Sequence, residues 1–487
     1  MNTTEKNQRR VLQKLLKQAS GTDFGRKHGF ADISSAEEYA KAVYIQTYED
    51  VAPWVERMKK GEADVLWPGI VNRFAISAGT TGTPKEMPLP KQRETTDRRF
   101  MRKVVLNYFL KRPNLFSLLG TQLSLVGNVE PSEEYPGVTI GEVSGFLGLM
   151  APWYLARLQV VHPKTMAALP FSKKMELALR ESANRDVRVI SALPSVTLRF
   201  LQNMLERTGK NSIAEVWPNL RIFVSGGEPL GSFRAHIEKL CEGLEIDFIE
   251  NYGASEGYFA FNTDPERTDM QLVTDNDVYY EWIPNPPSDR VKLLELDPIP
   301  TWQVEAGVPY AMIVTTSSGI WRYALNDVIE FTETGSSPRI RVRGRISDIM
   351  AKYGEDIEAA HILQVLDRVS KEMSAEYSSY TAGSILNDEF PSPTHAFFIE
   401  WVKKPDDMHE FAVRFDEQMK KINRSFQIRR EGDSIAFPKF FELDKDVIEA
   451  WQQRFFNVRA QTKLPRIIHD QEKVEDLMER CRGSKNS

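Results

Sequence analysis

Residues 247–257 read DFIENYGASEG. A short apolar run, 247–250, passes directly into small, polar, turn-forming residues. Parallel strands of an α/β sheet end in this way, and ligands bind at such carboxyl ends. Two upstream stretches repeat the pattern: VRVI (187–190) runs into SALPS, and RIFV (221–224) into SGGEPLG. Helical stretches separate the three, so an α/β sheet is expected in the middle of the chain.

Working outward, the spacing of Val11, Leu12, Leu15, Leu16 and Ala19 predicts a helix over 5–19, stopped at Gly21. Ser34 with Glu37, or Ser35 with Glu38, can form a capping box that starts a second helix. Beyond about residue 345 the pattern changes. HAFFIEWV (395–402) reads as a strand, and FAVRFDEQMKKI (411–422) as a helix with Phe411, Phe415, Met419 and Ile422 on one face. RGRISDIMAKYGED (343–356) lies between the two regions, charged and punctuated by glycine. A domain boundary is expected there, with residues 1–344 in a large α/β domain and 345–487 in a smaller α+β domain.

The totals exclude several classes. The 487 residues exceed one ordinary domain. With 41% hydrophobic and 27% charged residues the chain can bury a large core. A net charge of -5 leaves no electrostatic footprint for nucleic acid or an anionic membrane. Cys241 and Cys481 lie far apart and the seven histidines are scattered, which argues against a zinc site or disulfide framework. MNTTEKNQRRVLQ is charged and lacks the apolar segment of a signal peptide. GFLGLMAPWYLARLQVV (145–161), the most apolar region, is too short to span a bilayer and is interrupted by Pro152 and Arg157. A cytoplasmic protein is expected.

Four stretches carry chemistry. In AISAGTTGTPKEMPLP (75–90), Gly79 and Gly82 allow sharp bending and close approach to a ligand. Successive N–H groups in such a turn form an anion-binding nest, Ser77, Thr80 and Thr81 add hydroxyls, and Lys85 adds a point charge for polyphosphate. GxxxxGK[ST] is absent, so this is not a Walker A loop. In NYGASEG (251–257), Tyr252 offers a ring face for a base, Ser255 a hydroxyl and Glu256 a carboxylate suited to Mg²⁺; an exposed glutamate in a structural turn is the plain alternative. In SGIWRYALNDVIEF (318–331), Asp327 can accept hydrogen bonds from ribose, although a lone aspartate is more often a cap or turn residue. Arg345 and Asp348 lie in RGRISD, which also reads as a solvated linker.

The set and its order resemble the acyl-adenylate-forming superfamily, which includes acyl-CoA synthetases and firefly luciferase. The usual series TSGTTGxPK, YGxTE, YRTGD and GRxxDxIKxxG is matched by ISAGTTGTPK, YGASE, WRYALND and GRISDIMAKYG. The framing segments YIQTYEDVAPWVERMKKGEADVLWPG (44–69), YYEWIP (279–284) and QTKLPR (461–466) narrow the resemblance. Over roughly residues 1 to 470 the chain resembles the Gretchen-Hagen-type acyl acid amido synthetases, the auxin- and jasmonate-conjugating branch.

The resemblance implies an adenylate-forming α/β domain with a smaller C-terminal domain on a hinge. It implies an ATP-dependent ligase, using Mg²⁺, that adenylates a small apolar or aromatic carboxylic acid and transfers the acyl group to an amine such as an amino acid. Ser77, Gly79, Thr80, Thr81, Gly82 and Lys85 are then assigned to the phosphates, Glu256 to the metal, and Tyr252, Gly253 and Ser255 to the adenosine monophosphate moiety. Asp327 is assigned to ribose, Arg345 to the nucleotide and Asp348 to the hinge. LSLVGNVEPSEEYPGVTIGEVSGFLGLM (123–150) is expected to help line the acyl pocket.

Some positions depart from the pattern. Ala78 stands where the branch often has Ser, and Asn326 replaces the Gly before Asp327. Lys352 lies one position after the place of the hinge lysine, which Ala351 takes. The PxxxxGK ending of acyl-CoA synthetases is missing, and Lys463 is the best substitute for its catalytic lysine. Two other readings stand beside the first: an acyl-CoA synthetase with CoA as acceptor, and a non-catalytic nucleotide- or acid-binding protein of the same fold.

Overall fold

The computed structural model describes residues 2–77, 85–112, 120–227, 230–287, 293–350, 353, 355, 357–432, 434–455 and 464–483. Eleven strands form its main sheet. In spatial order they are Ile299–Pro300, Val278–Pro284, Pro309–Thr316, Ile320–Glu333, Arg339–Arg345, Met270–Leu272, Gly257–Phe261, Asp247–Ala254, Ile222–Gly226, Val187–Ser191 and Thr121–Ser124. The last four run parallel, as the apolar-run-then-turn pattern predicts. Every other pairing in the sheet is antiparallel.

The change of sense falls on Asp247–Ala254, and here the sequence reading is corrected. Its strand does not end at Glu250. It continues to Ala254 and turns through Ser255 and Glu256 into an antiparallel hairpin, with Tyr252 opposite Ala260 and Ala254 opposite Gly257. Gly253 is required by packing: a Cβ there would stand 2.5 Å from Cδ1 of Tyr258. The segment read as a loop is thus held by backbone pairing, on both edges at Asn251 and on one edge from Tyr252 to Ala254.

A second sheet joins Lys85–Pro88, Arg73–Ser77, Thr139–Gly141 and Val129–Pro131. Ser77 lies opposite Lys85, so the Ser/Thr/Gly stretch joins two antiparallel strands. Gly79, Thr80, Thr81 and Gly82, with Ala78, lie outside the described residues, as do Ala351, Lys352 and Lys463.

The first helix, Thr3–Ala19, begins two residues before its predicted start because the Asn2 side chain accepts from the Glu5 N–H at 2.9 Å. Gln8 is fully buried and ties this helix to the sheet. Its Nε2 donates to the carbonyls of Thr274 at 2.8 Å and Val278 at 2.9 Å, and its Oε1 accepts from the Tyr280 N–H at 2.8 Å. Thr4 Oγ1 donates to the Gly335 carbonyl at 2.7 Å. Of the two candidate caps for the next predicted helix, Ser35 is the one used: its Oγ accepts from the Glu38 N–H and opens Ala36–Ala42.

The C-terminal sheet orders Lys439–Glu442, Thr394–Lys403, Glu376–Ile385 and Ile467–Ile468. Helices Ala359–Glu372 and Met408–Ile422 supply core residues against it, with Phe411, Phe415 and Met419 buried as predicted. The core clusters separate cleanly. Those of the large sheet contain residues up to Ile346, and those of the C-terminal unit begin at Met350. Cys241 and Cys481 are both buried, and neither is joined in a disulfide among the described residues. Among the described residues no helix is long and apolar enough to cross a membrane.

Candidate active site

A cleft of about 2280 Å³ opens at the carboxyl ends of the parallel strands and extends to the C-terminal unit. Lys85, Tyr252, Gly253, Ser255, Glu256, Asp327, Arg345 and Asp348 all line it. Four separate sequence motifs therefore meet in one space. Of Ser77 the backbone is described, at the end of its strand, next to the cleft-lining Ile76.

The hairpin turn places Glu256. Its carboxyl is buried rather than exposed, at 5% accessibility. Burial raises its pKa above the ordinary range; the nearby Asp327 carboxylate pushes the same way, while Lys85 and Arg93 oppose. Arg93, on the helix Lys91–Lys111, fixes the turn from behind. Its Nη1 donates to the Ser255 carbonyl at 3.0 Å and to Ser318 Oγ at 2.8 Å, and its Nε donates to Asp97 Oδ1 at 2.7 Å. The Arg93–Asp97 pair is almost wholly out of solvent, with side chains 1% and 2% exposed. Buried charges persist only when paired and hydrogen-bonded, and this pair sits one turn apart on a helix.

Asp327 lies neither in a helix cap nor in a free turn. It belongs to the strand Ile320–Glu333, at an irregularity where the register jumps from Ala324–Ile313 to Val328–Ala311. Asn326 adopts φ 65° in this bulge. The departure from glycine is thus accommodated by asparagine, which tolerates the left-handed region better than most residues. Tyr252 donates its hydroxyl to Asp327 Oδ2 at 2.5 Å, and Arg345 Nε lies 3.4 Å from Asp327 Oδ1. Asp348 Oδ2 accepts from the Arg345 N–H at 3.1 Å. Tyr252, Asp327, Arg345 and Asp348 therefore form a continuous polar chain from the hairpin to the junction. The Tyr252 ring also meets Phe259 at 5.2 Å between centroids.

Three residues of the site escaped the sequence reading. Arg93 was signalled by its i,i+4 spacing from Asp97 in an otherwise plain helix. Ser225 ends the strand Ile222–Gly226 and lines the cleft, with its Oγ buried and without a hydrogen-bond partner among the described residues. Arg466 follows Lys463 in QTKLPR; it lines the cleft from the C-terminal unit and helps hold the Asp348 carboxyl ionised against the effect of burial. Ion pairs bridge the two units around this cleft. Arg343 Nη2 lies 3.6 Å from Glu358 Oε2, His236 Nε2 lies 3.4 Å from Glu376 Oε1, and Lys239 Nζ lies 3.7 Å from Glu376 Oε2.

The donor set fits a nucleotide with a divalent cation. Glu256 and Asp327 are acidic groups that repel each other in a largely desolvated place, and a hard cation relieves that cost with the oxygen ligands it prefers. Lys85, Arg345 and Arg466 supply positive charge along the same cleft. The buried Asn326 Oδ1, also without a partner among the described residues, offers an acceptor beside Asp327. Among the described residues no group of three or more His, Cys, Asp or Glu side chains forms a self-sufficient metal site. Such a cation is therefore expected to share its shell with phosphate oxygens.

Comparison with known proteins gives a consistent picture. Residues 1–208 match the GH3 family N-terminal domain, 271–345 the GH3 family central domain, and 360–472 the GH3 family C-terminal domain. The chain is 23% identical over 464 residues to a probable indole-3-acetic acid-amido synthetase, GH3.2, of Oryza sativa subsp. japonica, covering 81% of this chain and 74% of that protein. It is 21% identical over 391 residues to the jasmonoyl-L-amino acid synthetase JAR4 of Nicotiana attenuata, covering 67% of this chain and 66% of the relative. The fold resembles that of the GH3.15 acyl acid amido synthetase, with a TM-score of 0.78 at 16% identity over 98% of this chain and 94% of the other. It also resembles that of a 2-hydroxyisobutyryl-CoA ligase in the postadenylation state, with a TM-score of 0.60 at 13% identity over 99% and 93%.

Proposed function

This chain belongs to the GH3 family, and from that premise we infer that it is an ATP-dependent acyl acid amido synthetase. It activates a carboxylic acid as its adenylate and passes the acyl group to an amine, with an amino acid as the favoured acceptor. The observation that carries the reading is the convergence of Lys85, Tyr252, Ser255, Glu256, Asp327, Arg345 and Asp348 on one cleft.

In the first half-reaction a carboxylate oxygen attacks the α-phosphorus of ATP, and the bond to the leaving pyrophosphate breaks. Charge accumulates on phosphate oxygens, so positioned donors and cations lower the barrier. We assign that work to Lys85 and to the 77–82 stretch, with Ser77, Thr80 and Thr81 as hydroxyl donors and Gly79 and Gly82 opening the backbone. Glu256 is assigned as the ligand of Mg²⁺, which when bound supplies positive charge to the phosphates. Asp327, oriented by the Tyr252 hydroxyl, is assigned to the ribose, and Gly253 and Ser255 to the adenylate. Arg345 faces the nucleotide. In the second half-reaction the amine nitrogen attacks the acyl carbonyl, adenosine monophosphate leaves, and the amine loses a proton. Lys463 and Arg466 lie on the segment of the C-terminal unit assigned to this exchange. The boundary at 344/345 and the pivot at Asp348 belong to the same proposal, as does a cytoplasmic setting where ATP is supplied.

The test is a screen of carboxylic acids against the twenty amino acids and CoA with ATP and Mg²⁺, read by mass spectrometry. Amide products from wild type, and at least a hundred-fold less from Lys85→Ala, are expected on the scale of losing one charge-stabilising donor, about 10²–10³. Thioester with CoA and no amide would establish the CoA ligase reading. Nucleotide binding without acid-dependent pyrophosphate exchange would establish the binding-protein reading.

A further inference from the structure

The helix Lys91–Lys111 is inverted in polarity. Its first turns bury Arg93, Glu94, Thr96 and Asp97, while its last turns expose Val105 at 52%, Leu106 at 58% and Leu110 at 72%. A second apolar group lies at the end of Val143–Leu149, a helix that packs on Lys91–Lys111, and in the residues just after it: Leu149, Trp153, Tyr154 and Leu155 are all exposed. Seven of the thirteen exposed large apolar side chains among the described residues fall in these two short segments. Single exposed leucines need no explanation, but a concentration of this kind marks a binding surface.

The position of this surface identifies its occupant. Val105, Leu106, Tyr154 and Leu155 line the same cleft as Lys85 and Glu256. The helix start is fixed at the reaction centre, because Arg93 holds the Ser255 carbonyl. Arg98 and Arg102 line the cleft in the next turns, and Met101, Val105, Leu106 and Phe109 carry the lining onward. The lining therefore grades from cationic to apolar along the helix. Val105 lies twelve residues beyond Arg93, about 18 Å along the axis at ~1.5 Å per residue. A molecule lying along that gradient is anionic at the reaction centre and apolar at its far end. A compact acid confined to the reaction centre leaves the later turns uncovered.

We propose that the acid substrate carries an extended apolar chain, which lies in the trough between the last turns of Lys91–Lys111 and residues 147–155. This inference rests on the ligase reading and specifies its carboxylic acid as a chain-bearing one, in place of the small acid expected from the sequence. The trough is open on one side, so each methylene is partly covered.

The experiment measures acid-dependent pyrophosphate exchange with benzoate and with straight-chain acids from butanoate to dodecanoate. For wild type, kcat/KM should rise about two-fold per methylene beyond hexanoate, half of the roughly four-fold that full burial gives. Leu106→Asp should cost dodecanoate at least ten-fold more than butanoate. If circular dichroism shows that this variant is misfolded, Leu106→Ser replaces it, with a smaller loss of the same sign. Exchange with benzoate or butanoate but no gain with chain length overturns the trough and leaves the ligase reading intact. A gain that survives substitution at Leu106, or a loss equal for short and long acids, also overturns it. No exchange with any acid removes the ligase reading, and this inference with it.

Discussion

Glu256 carries a cost that the unliganded protein bears continuously. Its folded pKa is raised by burial, so the folded state favours the neutral form. The stability of that form is fully present below the unfolded glutamate value, about 4.3, and is lost as pH rises through the folded value. Glu256→Gln keeps the shape and removes the charge. We expect it to unfold at higher urea than wild type at pH 7, with the difference vanishing near pH 4, and to lose acid-dependent pyrophosphate exchange. Equal stability at both pH values would show that Glu256 is already compensated without a cation. Arg93 tests the turn from the other side. Arg93→Met leaves Asp97 buried without its partner and should cost about 3–5 kcal/mol in urea unfolding. Arg93→Met with Asp97→Leu should recover much of that stability but not the exchange rate, since the Ser255 carbonyl still lacks its donor. Recovery of both would reduce the pair to a purely structural role.

Among the elements, the bulge in Ile320–Glu333 sets Asp327 by placing Asn326 at φ 65°. Asn326→Gly should fold within about 1 kcal/mol of wild type, while Asn326→Val should cost about 1–2 kcal/mol or more, because a β-branched residue resists the left-handed region. Thermal melts, with KM for ATP measured on the same samples, check both effects; a benign valine would mean that the bulge relaxes freely. The elements also show what the sequence discloses. The parallel strands were legible because buried runs ending in small residues have one common meaning in an α/β chain. The hairpin at Ser255–Glu256 was not, since NYGASEG has the composition of a loop and is extended only through pairing with Gly257–Phe261. Asp327 was legible as a residue but not as a strand position, because its bulge depends on register with Pro309–Thr316. Arg93 and Ser225 needed three dimensions, as their partners and surroundings are distant in sequence.

At the scale of the molecule, the two units touch through exposed or half-exposed ion pairs around a shared cleft. Such pairs contribute about 0–1 kcal/mol each and weaken with salt. Glu376→Lys sets a second lysine beside Lys239, removes the acceptor of His236, and should disfavour the orientation seen here. We expect the ratio of amide formation to pyrophosphate exchange to change by about two- to five-fold at low salt and to return toward wild type near 1 M salt. An unchanged ratio would mean that these pairs do not bias the units. Asp348→Pro acts at the junction itself by fixing φ and removing the carboxylate that accepts from Arg345. Its effect on the two half-reactions should be unequal; equal losses would move the pivot elsewhere.

The first helix has a consequence for how the protein is made. Thr4 is tied to Gly335, and Gln8 to Thr274, Val278 and Tyr280. In synthesis these residues thus wait for partners some three hundred positions later. At about 5–20 residues per second that interval is roughly 15–60 seconds. Throughout it the Val11, Leu12, Leu15 and Leu16 stripe, buried in the finished protein, has no sheet to cover it. The nascent chain therefore presents an amphipathic handle for chaperones until the sheet is made, and the sheet is sealed by a helix synthesised long before it.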